Sequence, residues 1–161
     1  MKKIINEAII QFLQEQTCAG ICCVERSGKP YCFSCFYAFN SVEGLLYFKS
    51  SANSHHAGLM KENPFVAGTI LPDKLNKVFI KGIQFEATVL DTTQPLVNRK
   101  LGIYLAKHPL ALAIPGEIWA LQINHIKMTD STLGFGKKIT WNREPEMKVT
   151  VDEILANLHV N

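Results

Sequence analysis

Ser50, Ser51, Ser54, His55 and His56 crowd three hydroxyls and two imidazoles into one short run, with Lys49 just before it. Ahead of the run, Leu45-Leu46-Tyr47-Phe48 is a β-rich apolar stretch behind Gly44. After it, Asn63-Pro64 introduces Phe65-Val66-Ala67. Ser54 suits an N-cap, with His56, Leu59 and Met60 at helical spacing behind it. Hydroxyls gathered at a helix start, beside unbonded N–H groups and the positive end of the helix dipole, are chemistry suited to a phosphate. An N-capped polar turn without a ligand uses the same residues, so the pattern alone leaves both readings open.

Other constellations are weaker. Adjacent histidines on a helix diverge by about 100°, so His55 and His56 do not share an ion, and no carboxylate set completes a metal site with His108 or His125. Cys32 and Cys35 have the Cys-x-x-Cys spacing, but residues three apart on a strand point to opposite faces and do not converge on zinc. Five cysteines, an odd number, fit free thiols in a reducing compartment. Gly134-Phe135-Gly136-Lys137-Lys138 lacks the third glycine and the following helix of a dinucleotide fingerprint. No Gly-x-Ser-x-Gly, phosphate-loop or His-Glu-x-x-His motif occurs, which suits chemistry carried by a cofactor.

The elements that must position these residues follow from periodicity. Residues 4–16 carry Ile5, Ala8, Ile9, Phe12 and Leu13 at helical period. Strands are expected at 18–25, 31–39, 45–48, 65–70, 78–90, 117–128 and 139–141. A hairpin turn at 26–30 uses Gly28. Strand 31–39 is apolar on both faces, which places it centrally. Gly82 marks a bend in the long fifth strand. Thr93-Gln94-Pro95 starts a helix with Val97, Leu101, Tyr104 and Leu105 as its stripe, ended by His108-Pro109. Thr150 and Glu153 form a capping box for a last helix over about 150–159. The order predicts one mainly β domain over 1–161, a six- to seven-stranded antiparallel barrel with helical additions.

Length and charge agree. The 161 residues suffice for one core, and a net charge of +3 without basic clusters gives little support to a nucleic-acid surface. Polar Asn6, Glu7, Gln11 and Gln14 interrupt the first apolar run too early for a signal peptide, and no stretch has the length of a membrane helix. A cytoplasmic protein is expected.

The run from Tyr47 to Thr69 resembles the FMN-phosphate segment of the pyridoxamine 5′-phosphate oxidase-like split-barrel superfamily. Ser50, Ser51 and Ser54 fall on its hydroxyl positions, His55-His56 on its basic pair, and Asn63-Pro64 on its Asn-Pro. Val66-Ala67-Gly68-Thr69, Lys81-Gly82-Ile83-Gln84-Phe85 and the run from Thr132 to Trp141 are similar to the YhbP-type branch. The resemblance implies a split barrel, FMN held at the seam of a homodimer, and a flavin-dependent oxidoreductase without a named substrate. It implies a phosphate held by Lys49, Ser50, Ser51, Ser54, His55 and His56, with Phe33 and Ser34 lining the ring. Lys77 or Lys81 would reach the cofactor from the long strand, Lys137 from the glycine loop, and Trp141 or Trp119 would stack on the ring. Arg26, Arg99 and Arg143 do not match the substrate-phosphate arginines of the oxidase itself. Two histidines where the family carries Arg and Lys keep a second reading in play: a non-enzymatic module of the same fold, carrying haem or another ligand.

Overall fold

The computed structural model describes residues 4–91, 100–134 and 137–144. The expected helix at 150–159 and the Pro95 helix start lie outside them. Helix α1 (Glu7–Glu15) begins where the Asn6 side chain accepts from the Ala8 N–H. It drives Ile9, Phe12 and Leu13 into the core. Strands β1 (Cys18–Val24), β2 (Pro30–Asn40) and β3 (Leu45–Ser50) form an antiparallel meander. Helix α2 (His55–Glu62) leads into β4 (Phe65–Ile70) and β5 (Lys81–Val89). Helix α3 (Lys100–Lys107) and a 3-10 turn (Pro109–Ala113) precede β6 (Glu117–Asp130) and β7 (Lys138–Asn142).

The seven strands run β3-β2-β1-β4-β5-β6-β7, and β3 also pairs with β6. That second pairing closes six strands into an antiparallel barrel and leaves β7 as an appendage, a mainly β split-barrel architecture with helices added. Closure removes the open edges that β3 and β6 would otherwise present. Strand β6 serves both neighbours by length: its first half, Glu117–Gln122, pairs with β3, and residues from His125 onward pair with β7. The change of partner coincides with a register shift opposite Glu86/Ala87, where Asn124 is the extra residue. Arg143 closes the gap, donating to the carbonyls of Ile123, Glu43 and Gly44 at 2.7–2.9 Å. Gly44 has φ 65°, and a Cβ there would lie 2.5 Å from an Arg143 Nη.

Two expectations about the sheet need correction. The irregularity in the ladder of the fifth strand is a register shift at Glu86/Ala87, whereas Gly82 keeps regular pairing with Thr129. The fifth strand starts at Lys81 rather than 78, because Asn76 accepts from the N–H groups of Val78 and Phe79 and curls the chain there. Strand β2 does lie between two others, but Phe36 on its outer face is 61% exposed.

Two apolar clusters account for the interior. One fills the barrel with residues such as Ile21, Phe48, Phe85, Leu121 and Ile126, and receives α1 together with Ala57 and Met60 of α2. The other lies on the outer face of β2, β3 and β6, where Tyr104 and Ala111 cover Ala38, Leu45, Tyr47 and Ala120. The α3 segment is therefore a second layer over the strands that end at the serine cluster. Among the described residues no helix is long and apolar enough to cross a membrane.

Candidate functional site

Strand β3 ends at Ser50, α2 starts after Ser54, and the turn between them folds back so that Ser50, Ser54 and His56 meet. Ser54 is the N-cap: its Oγ accepts from the Ala57 N–H at 3.3 Å and donates to the Ser51 carbonyl at 2.8 Å. The His56 Nε2 lies 2.6 Å from the Ser50 Oγ and 3.0 Å from the Ser54 Oγ. Since the Ser54 proton is committed to Ser51, a proton on Nε2 makes the imidazole donor to both hydroxyls. The Ser50 O–H is then left to donate to a ligand oxygen. The His56 ring stacks on Phe33 at 3.8 Å and 11°. Burial, and then the neighbouring His55, hold its pKa below the ordinary histidine value, so the imidazole is neutral at pH 7.

Gly116, at the turn into β6, supports this end of β3 from behind. It has φ 138°, and a Cβ there would come within 3.2 Å of the Ser50 carbonyl.

The cluster opens into a cavity of about 650 Å³ between β2, the end of β3 and the α3 segment. Its walls are mostly apolar, from Phe33 and Phe36 to Tyr104, Leu110 and Ile114. Lys49, Lys107 and His108 add polar groups. Lys49 Nζ donates to the Ala111 carbonyl at 2.7 Å and ties β3 to the 3-10 turn. Lys107 Nζ donates to the Gln16 carbonyl and sits over the Tyr37 ring, and burial lowers its pKa. His108 Nε2 donates to the Tyr37 carbonyl at 2.7 Å, which leaves Nδ1 as the basic nitrogen, between the rings of Phe36 and Tyr104.

Of the residues singled out in the sequence, Phe33, Ser34, Lys49, Ser50 and His56 line this cavity. Ser54 joins them through its contact with Ser50 at 3.5 Å. Ser51 is exposed and contributes its carbonyl and an Oγ that accepts from the Asn53 N–H. His55 points elsewhere: it packs edge-on against Tyr31 and lies 3.8 Å from Glu25. Adjacent helical residues diverge, so only one member of the pair can face the cavity. Lys77 and Lys137 are exposed and do not line the cavity. Lys81 is held by Asp130 at 3.2 Å. Trp141 is 4% exposed in the barrel core, under the Arg143 guanidinium, and Trp119 is likewise buried, so neither faces the cavity. Phe36, Tyr104 and Lys107 were not singled out as site residues. Their signal is the exposed apolar run Leu110, Leu112 and Ile114, more than an ordinary connection carries.

No family model matches the chain. A UPF0306 protein of Photorhabdus laumondii is 39% identical over 121 residues, covering 75% of this chain and 85% of its own length. The chain belongs to the UPF0306 family. The fold of this UPF0306 chain is similar to that of a heme-binding protein from Mycobacterium smegmatis, with TM-score 0.69, 10% identity and 87% of this chain covered. The chain spans 60% of that longer structure. A FAD-binding protein from Mesorhizobium loti superposes with TM-score 0.60 and 18% identity over 81% of this chain and 98% of its own length. At these identities the likenesses show a shared fold.

Proposed function

We propose that this UPF0306 protein binds a flat aromatic cofactor carrying a phosphate, FMN, in the cavity beside Phe33. The observation that supports it most is the convergence of Ser50, Ser54 and His56 at the mouth of an apolar, aromatic-walled cavity large enough for a tricyclic ring. The two hydroxyls and the first N–H groups of α2 hold the phosphate. His56 is neutral and orients the serines rather than supplying charge, so backbone dipoles and Lys49 carry the electrostatics. Phe33 and Ser34 line one side of the ring, and Tyr104 bounds the other wall. Bound flavin supplies hydride transfer, and the residues here position it, exclude water through the Leu110–Ile114 wall and leave substrate choice to the open rim. The exposed Phe36, Leu110 and Ile114 lie at that rim, which suits a second copy of the chain completing the site as a homodimer. The resemblance to the YhbP-type branch and a cytoplasmic location belong to the same reading.

One geometry favours a second reading. His108, with Nε2 pinned to a carbonyl and Nδ1 basic, in a cavity walled by aromatic rings, has the tautomer and setting of a haem ligand. The deciding experiment is an absorbance spectrum of the purified protein before and after addition of FMN or haem, with excess removed by gel filtration. A retained flavin band that is lost in Ser50→Ala supports the first reading. A Soret band that is lost in His108→Ala, with no retained flavin, replaces it. No retained band of either kind refutes both.

A further inference from the structure

The β1–β2 hairpin carries all five cysteines, and one pair is in direct register. Cys22 is the cross-strand partner of Cys32. Cys18 faces Phe36, Cys35 faces Ala19, and Cys23 faces Tyr31. Directly opposed residues of an antiparallel ladder share a face and have Cα atoms about 4.5–5.5 Å apart, inside the 4.4–6.8 Å range that a disulfide spans. The two side chains lie on the outer face of the barrel, in a groove shared with Gly20, Ala67 and Thr69, where small neighbours leave the sulfurs accessible. Cys32 is exposed and Cys22 half-buried. The Cys22 Sγ donates to the Cys23 carbonyl at 3.9 Å, and the neighbouring Cys32 thiol acts on it electrostatically.

We propose that Cys22 and Cys32 are a dithiol site that a hydroperoxide closes into a reversible cross-strand disulfide. The Cys32 sulfur attacks one peroxide oxygen, the O–O bond breaks, and the first water or alcohol leaves with Cys32 as a sulfenic acid. The Cys22 sulfur then attacks the Cys32 sulfur, the S–O bond breaks, and the Cys22 proton departs with the hydroxyl as a second water. Two thiols are oxidised and one peroxide is reduced. The order follows from the environment: the neighbouring Cys32 thiol, and then burial, push the Cys22 thiol up to about 11, so it holds its proton while the more exposed Cys32 meets the oxidant. The remaining thiols are less suited. Cys23 points into the barrel with its Sγ on the Tyr31 carbonyl, and burial raises Cys35 to about 12. The bond would tie the hairpin one residue from Phe33. The inference does not rest on the cofactor reading.

The test uses the reduced full-length protein, treated with hydrogen peroxide, quenched with N-ethylmaleimide and mapped by non-reducing peptide mass spectrometry. The expected result is a 22–32 linked peptide, lighter by two hydrogens and restored by dithiothreitol. It persists in Cys35→Ser and is absent in Cys22→Ser, where a dimedone adduct accumulates on Cys32 several-fold over wild type. Wild-type Cys32 passing to sulfinic acid with no linked peptide would overturn the proposal. So would a link between other cysteines, or one joining two chains on a non-reducing gel. If a variant fails to fold by circular dichroism, the wild-type map alone decides.

Discussion

Replacing Ser54 by aspartate separates the two tasks of that side chain. Aspartate caps a helix as well as serine does, so its carboxylate keeps accepting from the Ala57 N–H, and the lost donation to the Ser51 carbonyl lowers stability by only about 1 kcal/mol. Against a phosphate the same substitution is hostile. The Ser54 Oγ lies 3.5 Å from the Ser50 Oγ and 3.0 Å from His56 Nε2, so a phosphate bridging these groups sits about 4 Å from the new carboxylate. At an effective dielectric of about 20, each unit of phosphate charge at that distance costs about 4 kcal/mol. A fall in FMN affinity of about a thousandfold follows from one such unit. Riboflavin has the ring but no phosphate, and its affinity should be unchanged. The assay is flavin fluorescence quenching with both ligands on wild type and Ser54→Asp, with urea unfolding as the fold control. Wild-type FMN affinity in a folded Ser54→Asp protein would refute the placement of the phosphate. Equal loss of FMN and riboflavin would refute the division of labour between turn and ring.

Three further outcomes are expected. His56 has a folded pKa below its unfolded value, so as pH falls through about 6.5 the unfolded chain takes up a proton that the fold resists, and stability drops until the folded pKa is reached. Wild type should therefore lose urea stability between pH 7.5 and 5.5 by more than His56→Gln does; equal loss would contradict the buried, neutral imidazole. Arg143→Met removes donors to three carbonyls at the β3–β6 closure and should cost about 3 kcal/mol, read as a lower urea midpoint. Gly116→Ala places a methyl 3.2 Å from the Ser50 carbonyl in a strained φ, and should lower thermal stability by about 1–2 kcal/mol and weaken FMN binding with it, by differential scanning fluorimetry and the same quenching assay.

Much of the fold was legible because its local periods are strong. The α1 stripe of Ile9, Phe12 and Leu13 and the Gly28 turn read correctly from spacing alone, and in β6 Trp119, Leu121 and Ile123 alternate into the barrel. The alternation then breaks at Asn124, since one extra residue exchanges the two faces of a strand, and beyond it Ile126 and Met128 point inward instead of the odd-numbered residues. The strand–turn–helix placement of Ser50 through His56 was also legible, because Ser54 caps a helix by a local hydrogen bond. Which histidine faces inward was not, because helix rotation is set by what Ala57 and Met60 bury.

The sequence by itself determined the elements, the inward faces of most strands and the hydroxyl-rich turn, all of which depend on interactions within a few residues. Only the tertiary structure decided that this turn lies against the segment from Tyr104 to Ile114, and that Trp141 belongs to the core. Lys49 and Ala111 touch across 62 positions of chain. That approach exists because β3 closes the barrel on β6. Every open antiparallel edge presents the same ladder of N–H and C=O groups, so local sequence does not specify which edge will be the partner; the combined burial of α1, α2 and α3 against the closed sheet does.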